Sequence, residues 1–111
     1  MALSKTLTEY FIQEFKRSPE YRQEHLAGCA GAVLNGELKV ARELIKHAIH
    51  GSMGFESLGK KLGKSPKSLH RSFGTKGNPT AKTLIAVLTE LQDFLDVSLE
   101  VKAVPRDGSS A

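Results

Sequence analysis

The sequence predicts an all-α protein closed by one short strand. Two patterns carry the helices. Apolar residues return every third or fourth position from Leu7 to Leu91, the spacing of one helical face. Ser18-Pro19 and Ser65-Pro66 each open such a run, pairing a capping hydroxyl with a residue whose fixed φ suits a first turn. A third pattern carries the strand. Val97, Leu99, Val101 and Ala103 alternate with Ser98, Glu100 and Lys102, and a period of two puts successive side chains on opposite faces.

A chain of 111 residues suits one domain with a real core. That domain is expected over residues 1–104: N-terminal helices in 1–50, a helical reading unit in 55–92 and the strand in 96–104. Residues 105–111 are small and polar, the composition of a flexible tail. The apolar fraction is 40%, and no apolar run approaches the ~20 residues that a membrane crossing needs. No membrane association is expected. Lys5, Thr6, Thr8 and Glu9 do not make a secretory leader. With Cys29 as its one cysteine, the chain forms no internal disulfide, which fits a reducing, cytoplasmic setting.

The elements follow in order. Leu7, Phe11 and Phe15 are four apart and predict a helix over 4–17. Ser18 caps the next helix, in which Tyr21, His25, Leu26, Cys29, Ala30 and Val33 hold a three-to-four spacing until Asn35-Gly36 breaks it. Leu38, Ala41, Ile45, Ala48 and Ile49 define a third helix over 37–50. Leu58 and Leu62 point a short helix over 56–62 inward, and Gly63 is the left-handed stop. Ser65-Pro66 opens a helix to Phe73. After the loop Gly74–Pro79, Leu84, Val87, Leu88 and Leu91 give a last helix over 80–91.

Charge is distributed unevenly along these elements. Between Glu56 and Glu90 lie Lys60, Lys61, Lys64, Lys67, Arg71, Lys76 and Lys82, seven cations and no acid in 33 residues. The rest of the chain holds nine basic and twelve acidic residues, a net charge of −3. A split of this kind builds a face for a polyanion, and nucleic acid is the usual one.

The spacing selects the kind of reader. Two short helices joined by Gly63-Lys64-Ser65 make a helix-turn-helix. Gly59 is small because the two helices approach there. Leu58, Leu62, Leu69 and Phe73 form the wedge between them. On a helical wheel Leu69 and Phe73 lie about 40° apart, and Lys67 and Arg71 lie about 160° from Leu69. Lys67, Ser68, His70 and Arg71 are therefore the expected base-contacting residues, with Arg and Lys suited to guanine O6 and N7. Lys60, Lys64, Lys76 and Lys82 suit phosphates, which position without specifying. Asn78-Pro79-Thr80 adds the N–H donors of a helix start. An RNA target is disfavoured, because Phe73 is the only aromatic in the basic window and points inward. The lone strand lacks a partner within the chain, so a homodimer paired through Val97, Leu99 and Val101 is expected.

Leu58, Gly59, Leu62, Gly63, Ser65, Leu69 and Arg71 follow a leucine–small–leucine–glycine–x–serine spacing. On these residues the stretch 58–91 resembles the lambda-repressor-type, or Xre-type, helix-turn-helix. Gly77-Asn78-Pro79-Thr80-Ala81-Lys82-Thr83-Leu84 closely resembles the Gly-Asn-Pro-Thr-Leu-Lys-Thr-Leu segment of the addiction-module antidotes, the HigA-like antitoxins paired with RelE/HigB-like toxins. The run from Tyr21 to Leu34-Asn35-Gly36-Glu37 is also similar to that family, so the resemblance covers residues 8–100. It implies a lambda-repressor-like helical bundle with extra N-terminal helices. It further implies a bacterial antitoxin that neutralises a ribosome-dependent mRNA endonuclease and represses its own operon by binding operator DNA as a dimer. One departure stands at the first motif helix. Many members place Ser or Thr before Gln there; this chain has Glu56-Ser57, a poor cap without the phosphate-contacting glutamine, and Lys60 is the substitute. The alternatives are a stand-alone dimeric Xre-type repressor without a toxin, and an adaptor whose basic face meets an acidic protein.

Other constellations read blandly. His47 and His50 are three apart on one helix, but no third ligand lies close, so no metal and no cofactor is expected. Cys29 sits on an apolar stripe with no base near it, as a buried thiol does. Tyr10, Phe11, Phe15, Tyr21 and Phe94 lie outside the basic window; core packing accounts for most of them, and any left exposed would suit a toxin-binding surface. No Ser/His/Asp set, carboxylate pair or phosphate loop has catalytic spacing, so an enzyme is not expected.

Overall fold

The computed structural model describes residues 2–106. Six helices follow one another: α1 (Ala2–Arg17), α2 (Pro19–Leu34), α3 (Leu38–Gly51), α4 (Gly54–Leu62), α5 (Pro66–Ser72) and α6 (Ala81–Leu95). Among the described residues the protein is all-helical, with no strand.

The caps that the sequence advertised are in place. Ser18 Oγ accepts from the Tyr21 N–H at 3.1 Å, and Pro19 takes the first helical position of α2. Asn35 and Gly36 end that helix. Gly36 stands at φ 77°, and the Glu37 N–H turns back to the Ala32 carbonyl at 2.9 Å. A glycine suits this left-handed position because it has no Cβ to clash.

The centre of the fold is α3, which packs against α1, α2, α4 and α6. Phe11 stacks on His47 with ring centroids 4.7 Å apart, and Phe15 lies over Gly51. These contacts advance together along both helices, so α1 and α3 run parallel. α2 returns antiparallel, with Gly28 against Leu44 and His25 Nε2 2.7 Å from the Leu44 carbonyl oxygen. A Cβ on Gly51 would stand 2.5 Å from the Phe15 ring, so the glycine lets α1 close down there. One core runs through all six helices, including Phe15, Leu26, Ile45, Leu58, Phe73 and Leu91.

Three expectations are corrected. First, α4 begins at Gly54, two residues earlier than predicted. Gly54 takes φ 78°, which lets α4 leave directly from the end of α3. Glu56 is therefore inside the first turn and is not the cap. Second, α6 runs on to Leu95. Its apolar stripe continues through that buried residue, and Asp96 closes the helix in the left-handed conformation at φ 57°.

Third, the strand over 96–104 does not form. No second strand lies among the described residues to give it a ladder, and an unpaired row of N–H and C=O groups is not a sheet. The period of two survives only as packing. Val97 and Leu99 turn onto the chain's own core, and the Leu99 N–H donates to Gln92 Oε1 at 2.9 Å. Val101, the third expected dimerisation residue, is 83% exposed. The tail expected over 105–111 lies mostly outside the described residues.

Candidate nucleic-acid interface

α4 and α5 are joined by Gly63, Lys64 and Ser65. Gly63 ends α4 at φ 67°, and the Lys64 N–H donates to the Gly59 carbonyl at 2.9 Å. A Cβ on Gly59 would stand 2.7 Å from the Lys64 carbonyl oxygen and 3.3 Å from Pro66 Cγ. Both obstacles are backbone or ring atoms that cannot step aside, so the glycine fixes how closely α5 folds over α4. Ser65 Oγ accepts from the Ser68 N–H at 3.1 Å and starts α5. Leu58, Leu69 and Phe73 are buried between the helices, with Leu62 half-buried at the edge.

With its inner face so fixed, α5 presents Lys67 and Arg71 outward, and both are exposed. The other two expected base-contacting residues take opposite flanks. Ser68 borders a groove of about 210 Å³ between α5 and the start of α6, lined also by Lys64, Ser72, Asn78 and Thr80. His70 leans the other way. Its ring meets Phe55 edge-on at 4.8 Å and His50 at 6.0 Å. The four residues therefore surround one ridge, with Lys67 and Arg71 at its crest.

The expected phosphate-contacting residues Lys60, Lys64, Lys76, Asn78, Thr80 and Lys82 are all exposed. Thr80 caps α6, its hydroxyl accepting from the Thr83 N–H at 3.1 Å. The first-turn N–H groups of Ala81 and Lys82 have no helical acceptor and carry the positive end of the helix dipole. Among the described residues, none of the seven cations between Glu56 and Glu90 makes a salt bridge. Their charge is left unneutralised by the fold.

The loop between α5 and α6 is held by a residue that sequence reasoning missed. Arg42, on α3, donates to the Gly77 carbonyl at 3.0 Å and the Thr75 carbonyl at 3.4 Å, and it meets Glu43 at 3.1 Å. Its side chain is only 13% exposed. Arg42 thereby ties the loop bearing Lys76 and Asn78 to the N-terminal helices. In the sequence it is one cation among balancing charges, and no local pattern marks it. Gly77 completes the join, because a Cβ there would overlap the Ser72 carbonyl.

Burial pushes the Cys29 thiol up to about 12, so it is neither nucleophilic nor readily oxidised. His47 and His50 are both held below the ordinary histidine range, first by burial and then by a neighbouring imidazole, His25 for His47 and His70 for His50. Among the described residues no three His, Cys, Asp or Glu side chains gather as a metal site, and no helix is long and apolar enough to cross a membrane.

Compared with family models, with curated proteins and with solved structures, the chain finds no match in any of the three. The family resemblance therefore rests on the motif residues themselves.

Proposed function

We propose that this protein is a dimeric helix-turn-helix DNA-binding protein that acts as the antitoxin of a type II toxin–antitoxin pair. One observation carries the DNA-binding part: seven exposed cations without carboxylate partners surround a short helix whose inner face is locked and whose outer face offers Lys67 and Arg71. A protein stabilises itself by pairing such charges or spacing them apart. Leaving them bare on one ridge fits a polyanionic partner whose counterions are released on binding. The reading places α5 in a major groove, with Lys67 and Arg71 at base edges, Ser68 and His70 at the flanks, and the lysines with the start of α6 on phosphates.

The antitoxin part rests on the Gly77–Leu84 motif. It is supported by apolar side chains left exposed away from the basic ridge, among them Tyr10, Leu34 and Val40, which suit a protein partner such as a RelE/HigB-like toxin. Dimerisation draws on Val101 and Val104, exposed in the segment after α6. Two-fold symmetry then requires a palindromic operator with half-sites about one helical turn, ~34 Å, apart.

Two experiments test the two parts. Titrating salt against random duplex DNA should give a steep log-linear loss of affinity, and a flat response would remove the DNA reading. Co-expression with the adjacent gene should co-purify a small basic protein and rescue growth. A harmless neighbour that does not bind would leave a plain repressor.

A further inference from the structure

Every histidine of this chain faces another one. His25 and His47 are 6.4 Å apart between α2 and α3, and His50 and His70 are 6.0 Å apart between α3 and α5. The second pair has an unusual position. It shares Phe55, which meets His50 at 5.2 Å and His70 at 4.8 Å and is itself backed by Phe73 at 5.9 Å. Three helices thus meet at one aromatic joint. The backbone of α5 approaches α4 and no other helix. The imidazole pair therefore adds to buried Leu69 and Phe73 a second side-chain link from this seven-residue helix to the centre of the fold.

The charges around the joint have one sign. Those facing His50 are His70 from α5 and Lys46 and His47 from its own helix, with no carboxylate among them. On α5 the other ionisable groups are Lys67 and Arg71. On α4 the only carboxylate is Glu56, exposed one residue past Phe55, beside Lys60 and Lys61. Among the described residues, neither His50 nor His70 has a salt-bridge partner. A proton on His50 meets Lys46 and no counter-charge.

The geometry points to an acid-sensitive latch: His50 and His70, packed on Phe55, brace α5 against the α3–α4 junction, and protonation of His50 loosens that brace. His50 is half-buried on α3, while its partner ring His70 is exposed on α5. The direction follows from linkage. Burial first, then the neighbouring His70, Lys46 and His47, disfavour the charged form of His50, so the released state binds that proton more readily. The latch is complete above the ordinary histidine range and is lost as pH falls from there towards the lowered value of His50. This inference concerns the free protein and does not depend on the nucleic-acid reading.

The test is amide hydrogen exchange of the full chain, followed by NMR at about pH 7.5 and about pH 5.5, either side of the ordinary histidine range, with intrinsic rates corrected. The amides of Leu69 and Phe73, bonded to the Ser65 and Leu69 carbonyls at 2.9 and 3.3 Å, report on α5. Those of Leu88 and Leu91 report on α6. The latch predicts that protection in α5 falls about tenfold more than in α6 on acidification. It also predicts that His70→Gln removes this excess. His50→Gln provides the same test from the other side of the joint and covers the case in which the first variant does not fold. Equal loss in both helices of the unaltered protein would overturn the latch, as would an undiminished excess in the glutamine variants.

Discussion

The two halves of this molecule treat their cations differently. In α1–α3 three basic residues pair, Arg17 with Glu14, Arg42 with Glu43 at 3.1 Å and Lys46 with Glu43 at 3.7 Å, and Arg22 donates to the Phe15 carbonyl, while exposed Lys16 and Lys39 form no salt bridge among the described residues. From α4 to the start of α6 the seven cations pair with nothing among the described residues. In the first half, charge serves the fold. In the second it is held out from the fold, on helices whose inner faces bury Leu58, Leu69 and Phe73. Function is to be sought where charge is displayed on a rigid support without being consumed by it.

Several variants would break or sharpen this contrast. Gly77→Ala should have the largest effect. The added methyl collides with the backbone carbonyl of Ser72, which cannot yield without moving the end of α5, and a loss of about 3 kcal/mol in urea unfolding is expected. A neutral result would mean that the loop is not the rigid support described. Arg42→Ala comes next, at about 1–3 kcal/mol, because it leaves the Gly77 carbonyl without its donor. It should also loosen the loop that carries Lys76, seen as faster exchange there than in α1.

On the displayed charges, stability and binding should part company. Arg71→Ala should leave unfolding within about 0.5 kcal/mol of the parent, yet weaken duplex binding by about 1–3 kcal/mol and relax one base position. Lys76→Ala should weaken all sequences alike and lower the salt slope by about one. If either change destabilises the protein more than it weakens binding, the division between the halves is wrong. Ser65→Ala removes the α5 cap and should cost about 1 kcal/mol. Smallest of all, Glu43→Gln in the paired half should cost well under about 1 kcal/mol, as partly exposed ion pairs do, and should not change duplex binding.

Much of the site was readable before any fold was known, because its signals are local. Ser18, Ser65 and Gly63 act within one turn of themselves, so their caps could be predicted from neighbouring residues. Gly59 could be placed because a short turn forces two helices together at a fixed offset. The wheel put Lys67 and Arg71 on the outer face of α5 by periodicity alone. The end of α6 is less legible: its stripe continues to Leu95, four residues past Leu91, but a period of two begins at Val97 and masks it.

The sequence by itself determined the helical elements, their caps and the place where positive charge collects, since each follows from backbone geometry and side-chain order over a few residues. Only the tertiary structure decided which distant residues serve that ridge. Arg42 reaches 35 positions along the chain to hold Gly77, His50 meets His70 across Phe55, and Val97 and Leu99 turn inward onto their own core. The physical reason is common to all three. A long-range contact depends on how whole helices pack, and no single stretch of sequence encodes the angle at which α3 meets the rest.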